Sequence, residues 1–141
     1  MAVSVAALAT LLVDQASKAA VRAVLPLGAS HAMGDWLRLS HVENSGIAFV
    51  LLRRQPRLAA GAAGLASALL LAVVSRVQSR SAALGAGLML GGWSGNALDR
   101  IRRGTVTDFL DLGAGDLRWP AFNLADTAIL CGAALLARAL R

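Results

Sequence analysis

The sequence predicts an α-helical integral membrane protein, with four transmembrane helices carrying a small extramembrane β-sheet. Three observations predict it. Of 141 residues, 57% are hydrophobic and 16% charged, with a mean hydropathy of +0.62. Soluble domains carry about 25% charged residues, so this chain has too few to clothe a compact body in water. Charge-free stretches of bilayer length recur along it, and most remaining polar residues collect in two connections between those stretches.

The elements follow in order. Ala2 to Val13 is free of charge, and beyond it Asp14, Lys18 and Arg22 recur every four residues on one helical face, giving a first span over 2–24 that Pro26 ends. A cleavable signal peptide is the rival reading. With no basic segment at the start and no polar domain downstream to export, the segment reads as an uncleaved span. The second span, 58–75, and the third, 81–98, are each 18 residues between charges. At that length a helix rises about 27 Å, close to the roughly 30 Å of hydrocarbon it must cross. The short linker from Arg76 to Arg80 makes the two a hairpin. The fourth span, 121–138, is apolar up to Ala137 apart from Asn123 and Asp126.

The two long connections, 26–56 and 99–120, fall on one side of the membrane. In the first, Trp36 to Val42 shows partial two-residue alternation, Asn44-Ser45-Gly46 is a turn signal, and Ile47 to Leu52 is a β-prone apolar run, so a small sheet is expected there. No internal repeat or low-complexity linker appears, and residues 1–141 read as a single membrane-embedded domain. Charge bias gives an awkward topology: 4 Lys and Arg lie on the side of the termini and 10 on the side of the long connections.

Composition also limits function. A net charge of +6 invites a nucleic-acid reading, but three Trp, three Phe and no Tyr leave little stacking surface and the Arg are scattered. No nucleic-acid partner is expected, and the basicity reads as contact with lipid headgroups. One Cys cannot form an internal disulfide, and two His with one Cys cannot complete a tetrahedral zinc site without carboxylates.

The informative anomaly is where the carboxylates lie. Of eight, Asp14, Asp99, Asp108, Asp111 and Asp126 sit in or beside apolar segments, where an unpaired charge is costly and an ionisable residue is a functional candidate. Asp14 has Lys18 four residues on and reads as an anchor. Asn96, Asp99 and Arg100 share one helical face and read as a capping and ion-pair cluster. Asp126 has no cationic neighbour in sequence, and Asp108 no adjacent base. Two neighbouring carboxylates in apolar surroundings cannot both ionise, so one can activate water while the other hydrogen-bonds a carbonyl. Spacing alone leaves Asp108 with Asp126 as one pairing among several.

Other chemistry fits less well. Gly92-Trp93-Ser94-Gly95 resembles a rhomboid-type serine segment, but no His follows His41 to serve as its base. Gly87, Gly91 and Gly95 read instead as a helix-packing face. Cys131 reads as a small core residue, and His31 and His41 as interfacial rather than as ligands. An ion path lined by Asp14, Asp99 and Asp126, and a packing adaptor built on the glycine face, are the alternatives from other functional classes.

Five ordered segments carry a resemblance: Asp14-Gln15-Ala16-Ser17-Lys18; Asn44-Ser45-Gly46-Ile47-Ala48-Phe49; Gly91-Gly92 with Gly95-Asn96-Ala97-Leu98-Asp99-Arg100; Gly104-Thr105-Val106-Thr107-Asp108-Phe109; and Pro120-Ala121-Phe122-Asn123-Leu124-Ala125-Asp126. In this order and spacing the chain resembles the lipoprotein signal peptidases (signal peptidase II), membrane aspartic proteases. It departs from their usual pattern at Ile47, at Thr107 and at Trp93-Ser94, none of which removes a candidate carboxylate.

The resemblance implies a four-helix membrane fold with a small extramembrane sheet and a short helix-bearing loop. It places both termini in the cytoplasm and the active site toward the outer face of the bacterial cytoplasmic membrane. It maps the catalytic pair onto Asp108 and Asp126, and supporting or substrate-contacting residues onto Asp14, Lys18, Asn44, Gly46, Asn96, Asp99, Arg100 and Asn123. It implies a monomer among membrane lipids that needs no cofactor or metal. Its substrate would be diacylglyceryl-modified prolipoprotein, cut on the N-terminal side of the lipidated cysteine.

Overall fold

The computed structural model describes residues 1–45, 56–76 and 79–141; within 56–76, only the backbone of 56–64 and of residue 66 is described. Helix α1 (Ala2–Val24) leads to strands β1 (Ser30–Ala32) and β2 (Leu37–Asn44). Helices α2 (Pro56–Arg76) and α3 (Arg80–Arg103) follow, then β3 (Val106–Ala114), β4 (Leu117–Arg118) and helix α4 (Leu124–Ala139).

Local chemistry sets the ends. Pro26 disfavours helical backbone at the residue before it, and Leu25 is accordingly extended at φ −116°, ψ 126°. Helix α3 runs past the expected boundary at Leu98 to Arg103, and stops where Gly104 turns left-handed at φ 80° and donates its N–H to the Arg100 carbonyl at 3.0 Å. Helix α4 begins three residues later than expected because Asn123 caps it. The Asn123 side chain accepts from the Asp126 N–H while the Asp126 carboxylate accepts from the Asn123 N–H, a reciprocal capping box.

Helix α3 is the central element, and its glycines let both neighbours approach closely. A Cβ on Gly87 would come within 2.6 Å of the Ala6 side chain, and one on Gly91 within 2.5 Å of the Ala7 carbonyl, both on α1. On another face, Gly85 and Gly92 press against α4 at the Gly132 and Ala125 carbonyls. The helix-packing reading of Gly87, Gly91 and Gly95 therefore describes the α1 contact, and it misses the second stripe that receives α4.

Polarity inside and outside is reversed relative to a soluble bundle. Asp14, Lys18 and Asp99 are buried between helices, while Val5, Leu8 and Leu12 of α1, Leu69 of α2, Leu84 of α3 and Leu130 of α4 face outward. Among the described residues α1 alone is long and apolar enough to cross a membrane by length and composition. Helix α4 has 16 residues, and α3 ends in a run of charges.

The sheet is antiparallel in the order β1-β2-β3-β4. Half of it was not anticipated: β3 and β4 come from the second connection, and the apolar run Ile47 to Leu52 lies outside the described residues. The expected short helix-bearing loop is not found among the described residues. A register shift between Leu39 and Val42 bulges β2 at Ser40 and His41. Strand β3 also bonds to the segment entering α4, with Leu110 and Phe122 exchanging N–H···O bonds of 2.8 and 3.0 Å.

Candidate active site

That bridge decides where the site forms. Asp108 lies two residues before Leu110 on β3, and Asn123 follows Phe122, so the strand and the head of α4 are fastened together on either side of the two candidate carboxylates. Asn123, fully buried, joins them. Its Nδ2 donates to Asp108 Oδ1 at 2.6 Å, and its backbone N–H donates to Asp126 Oδ2 at 3.3 Å.

Each carboxylate has a second donor. Asn44, the last residue of β2, donates to Asp108 Oδ2 at 2.9 Å, and Asn96 of α3 donates to Asp126 Oδ1 at 2.8 Å. Burial pushes the Asp108 carboxyl above its ordinary range; the Asn44 and Asn123 donors pull it back, neighbouring Asp126 pushes it further up and Lys18 pulls it down, with a net upward shift. Asp126 is only half-buried and borders an open cleft of about 590 Å³ walled by Leu112, Trp119, Phe122 and Leu130. Although no cation adjoins Asp126 in sequence, folding brings the half-buried Arg100 guanidinium within electrostatic reach of Asp126, Asp108 and Asp99.

Behind the pair lies a second polar layer. The fully buried Lys18 ammonium donates to Asn96 Oδ1 at 2.9 Å and forms ion pairs with Asp14 Oδ2 at 2.9 Å and Asp99 Oδ2 at 3.0 Å. Arg22 stands 4.0 Å from Asp99, so two cations face two carboxylates there. The other oxygen of Asp14 accepts the Ala125 N–H at 3.0 Å, in the first turn of α4. Asp14 thus anchors α4 as well as pairing with Lys18, and charge buried at this depth is tolerable because it is matched, with Asp99 Oδ2 held to Lys18 by charge and not by an aligned hydrogen bond.

Of the residues singled out from sequence, Asp108, Asp126, Asn44, Asn96, Asn123, Asp14, Lys18, Asp99 and Arg100 converge on one centre. Gly46 lies outside the described residues. The cluster of Asn96, Asp99 and Arg100 divides: Asp99 pairs with Lys18, while Asn96 reaches Asp126. Cys131 is exposed rather than a core residue. His31 is exposed, whereas His41 is buried against the end of α1. Gln15, not singled out beforehand, bridges α1 to α3 by donating to the Gly95 carbonyl and to Asp99 Oδ1, each at 3.2 Å. Its place beside Asp14 was the available signal. Among the described residues no group of three or more His, Cys, Asp or Glu is placed to hold a metal ion.

Comparison with known proteins matches residues 6–140 to the family described as Signal peptidase (SPase) II. A protein of Paraburkholderia phymatum named lipoprotein signal peptidase is 41% identical over 135 residues, covering 92% of this chain and 81% of that protein. One of the same name from Burkholderia vietnamiensis is 41% identical over 134 residues with the same coverage. The fold is shared with two bacterial membrane enzyme structures obtained by the in meso method. One, at 1.9 Å resolution, has a TM-score of 0.71 at 22% identity and covers 96% of this chain and 90% of its own. The other, at 2.3 Å, has a TM-score of 0.72 at 23% identity and covers 96% and 85%.

Proposed function

The chain belongs to the signal peptidase II family, peptidases that remove signal peptides from prolipoproteins, and we propose that it performs this hydrolysis with Asp108 and Asp126 as a proton-sharing pair. The observation that carries the assignment is Asn123, whose side chain holds Asp108 and whose backbone holds Asp126.

In this mechanism Asp108, whose carboxyl is pushed upward, keeps the shared proton and donates a hydrogen bond to the scissile carbonyl. Asp126, at the edge of the cleft, takes a proton from water as the water oxygen attacks the carbonyl carbon. The tetrahedral intermediate collapses when Asp126 returns that proton to the departing nitrogen and Asp108 recovers its own. Arg100 balances the charge of the pair. The supporting amides Asn44, Asn96 and Asn123 keep both carboxylates aimed, and Asp14, Lys18 and Asp99 hold the helices that carry them. Gly46, next but one to Asn44 in sequence, is kept as a substrate-binding or supporting residue on the family resemblance alone.

All four helices cross the bacterial cytoplasmic membrane in this reading, with the sheet and the carboxylate pair at the outer face. Outward Leu and Val around buried charges support it, since a bilayer solvates the former and would reject the latter if exposed. The chain acts as a monomer among lipids on diacylglyceryl-modified prolipoproteins, cutting on the N-terminal side of the lipidated cysteine. The apolar cleft beside Asp126 suits such a substrate.

Purified protein should cleave a diacylglyceryl-modified prolipoprotein peptide and spare its unlipidated counterpart. Asp108→Asn and Asp126→Asn should each abolish cleavage while leaving thermal unfolding cooperative. Full activity in either variant would overturn the pair, and equal cleavage of both peptides would overturn the substrate assignment.

A further inference from the structure

Strand residues alternate between sheet faces, and on β2 and β3 the two faces carry different work. Asn44 and Asp108 meet on the face of the catalytic pair. On the opposite face Glu43 gathers a separate set of partners. Thr105 Oγ1 donates to its Oε2 at 2.5 Å, Thr107 Oγ1 donates to its Oε1 at 2.8 Å, and His41 Nε2 lies 3.3 Å from Oε1.

Both ends of this cluster reach α1. Arg22 donates to Thr107 Oγ1 at 2.8 Å, and His41 Nδ1 faces the Leu25 carbonyl at 2.8 Å, so that nitrogen carries a proton. The bulge at Ser40 and His41 aims the ring that way, and the His41 backbone is fixed by bonds to Ala29 and Gly28. Glu43 pairs directly with Thr107 across the ladder, which places its carboxylate behind the Asn44 and Asp108 backbone.

We propose that Glu43 is a positioning residue: through Thr107 and His41 it bolts the sheet to the end of α1, and so fixes the register that aims Asn44 and Asp108. The hydrogen bonds across β2 and β3 alone leave one-residue slips as competitors, and a slip would turn Asp108 to the wrong face. Glu43 disfavours a one-residue slip because that shift would turn Thr105 and Thr107 away from its face. This rests on the function proposed above for Asp108.

The test uses the whole protein in detergent or liposomes. Glu43→Ala should lower kcat on the lipidated peptide about tenfold with KM little changed, since a small misplacement of a reacting group costs rate more than binding. Glu43→Gln, whose amide oxygen can still accept from Thr107 while its NH₂ donates to Thr105, should restore most of the loss. Thr107→Val, close in shape, should reproduce part of it, and the double variant Glu43→Ala/Thr107→Val should be no slower than Glu43→Ala alone. Amide exchange at β2 and β3 should quicken in Glu43→Ala while exchange in α3 and α4 is unchanged, a readout independent of cleavage. Unchanged kcat in Glu43→Ala, additive losses in the double variant, or unchanged strand exchange would each overturn the proposal. Quickened strand exchange in Glu43→Ala alongside a wild-type protein that cleaves nothing would count against the assigned reaction and not against the bolt.

Discussion

Lys18 holds the oxygen of the Asn96 side chain at 2.9 Å, which turns the NH₂ of that amide toward Asp126, 2.8 Å away. Asn123 Nδ2 approaches the same oxygen at 3.2 Å. Two donors on one side of an amide fix its orientation, because a flip would set NH₂ against NH₃⁺. A buried cation on α1 therefore aims a donor on α3 at a carboxylate on α4 without touching it.

Replacing Lys18 by Met should free that amide and lower turnover about tenfold to a hundredfold, the range for losing a hydrogen bond to a charged group. Asn96→Ala should fall similarly, and the double variant should be no worse than the weaker single, since both act on Asp126 by one route. Lys18→Met leaves Asp14 and Asp99 less compensated, so Lys18→Met/Asp99→Asn, which removes one charge of each sign, should carry the same kinetic loss with better folding. Steady-state kinetics on the lipidated peptide decide it, and additive losses would refute the shared route.

Asp108 makes a prediction of opposite sign for stability and activity. Its folded carboxyl is raised by burial and by Asp126, so the folded state binds a proton more tightly than the unfolded chain. Stability from this group is complete below the unfolded value and declines as pH rises through the folded one. Asp108→Asn should thus abolish cleavage yet melt a few degrees higher than wild type at neutral pH, with the advantage vanishing in acid. A lower melting temperature at neutral pH would contradict it.

The second layer of this site was only partly legible beforehand, for reasons visible at particular residues. Charge-free runs located the helices, and Pro26 marked an end. From Asp99 onward the charges suggested departure from the helix, although backbone hydrogen bonds carry α3 on to Arg103 regardless of what its side chains need. Strand β3 was missed because Val106, Asp108, Leu110 and Leu112 alternate with Thr107, Phe109 and Asp111, so apolar and polar residues occupy both faces and the period of two is blurred. The meeting of Asp108 with Asp126 depends on the bridge between Leu110 and Phe122, a long-range contact with no local signature. Cys131 was misplaced because apolar neighbours in sequence signal a core, whereas α4 turns this residue to an exposed side.

The two glycines of α3 that receive α4 should separate stability from activity. An added Cβ would meet the Ala125 carbonyl at 2.5 Å on Gly92 and the Gly132 carbonyl at 2.6 Å on Gly85. Alanine at either position should cost about 1–3 kcal/mol by overpacking. Only Gly92→Ala presses on the turn that carries Asp126, so its kcat should fall sharply while folded Gly85→Ala keeps near wild-type turnover. Equal kinetic losses would show that α4 transmits the strain as a rigid rod.

Glu43 should also set part of the acid limit of the fold. Burial raises its carboxyl, but the hydrogen bonds from Thr105, Thr107 and His41, with the His41 charge, outweigh burial and leave it below its ordinary value. A lowered folded value means that the unfolded chain binds the proton more readily. The stabilisation is therefore present above the unfolded carboxylate range and is lost as pH falls through the lower folded value. Glu43→Gln keeps the shape and removes the titration, so its melting temperature should fall less steeply than wild type as pH drops across that window. Thermal unfolding at a series of pH values measures the difference, and parallel curves would show that Glu43 contributes no charge-dependent stability.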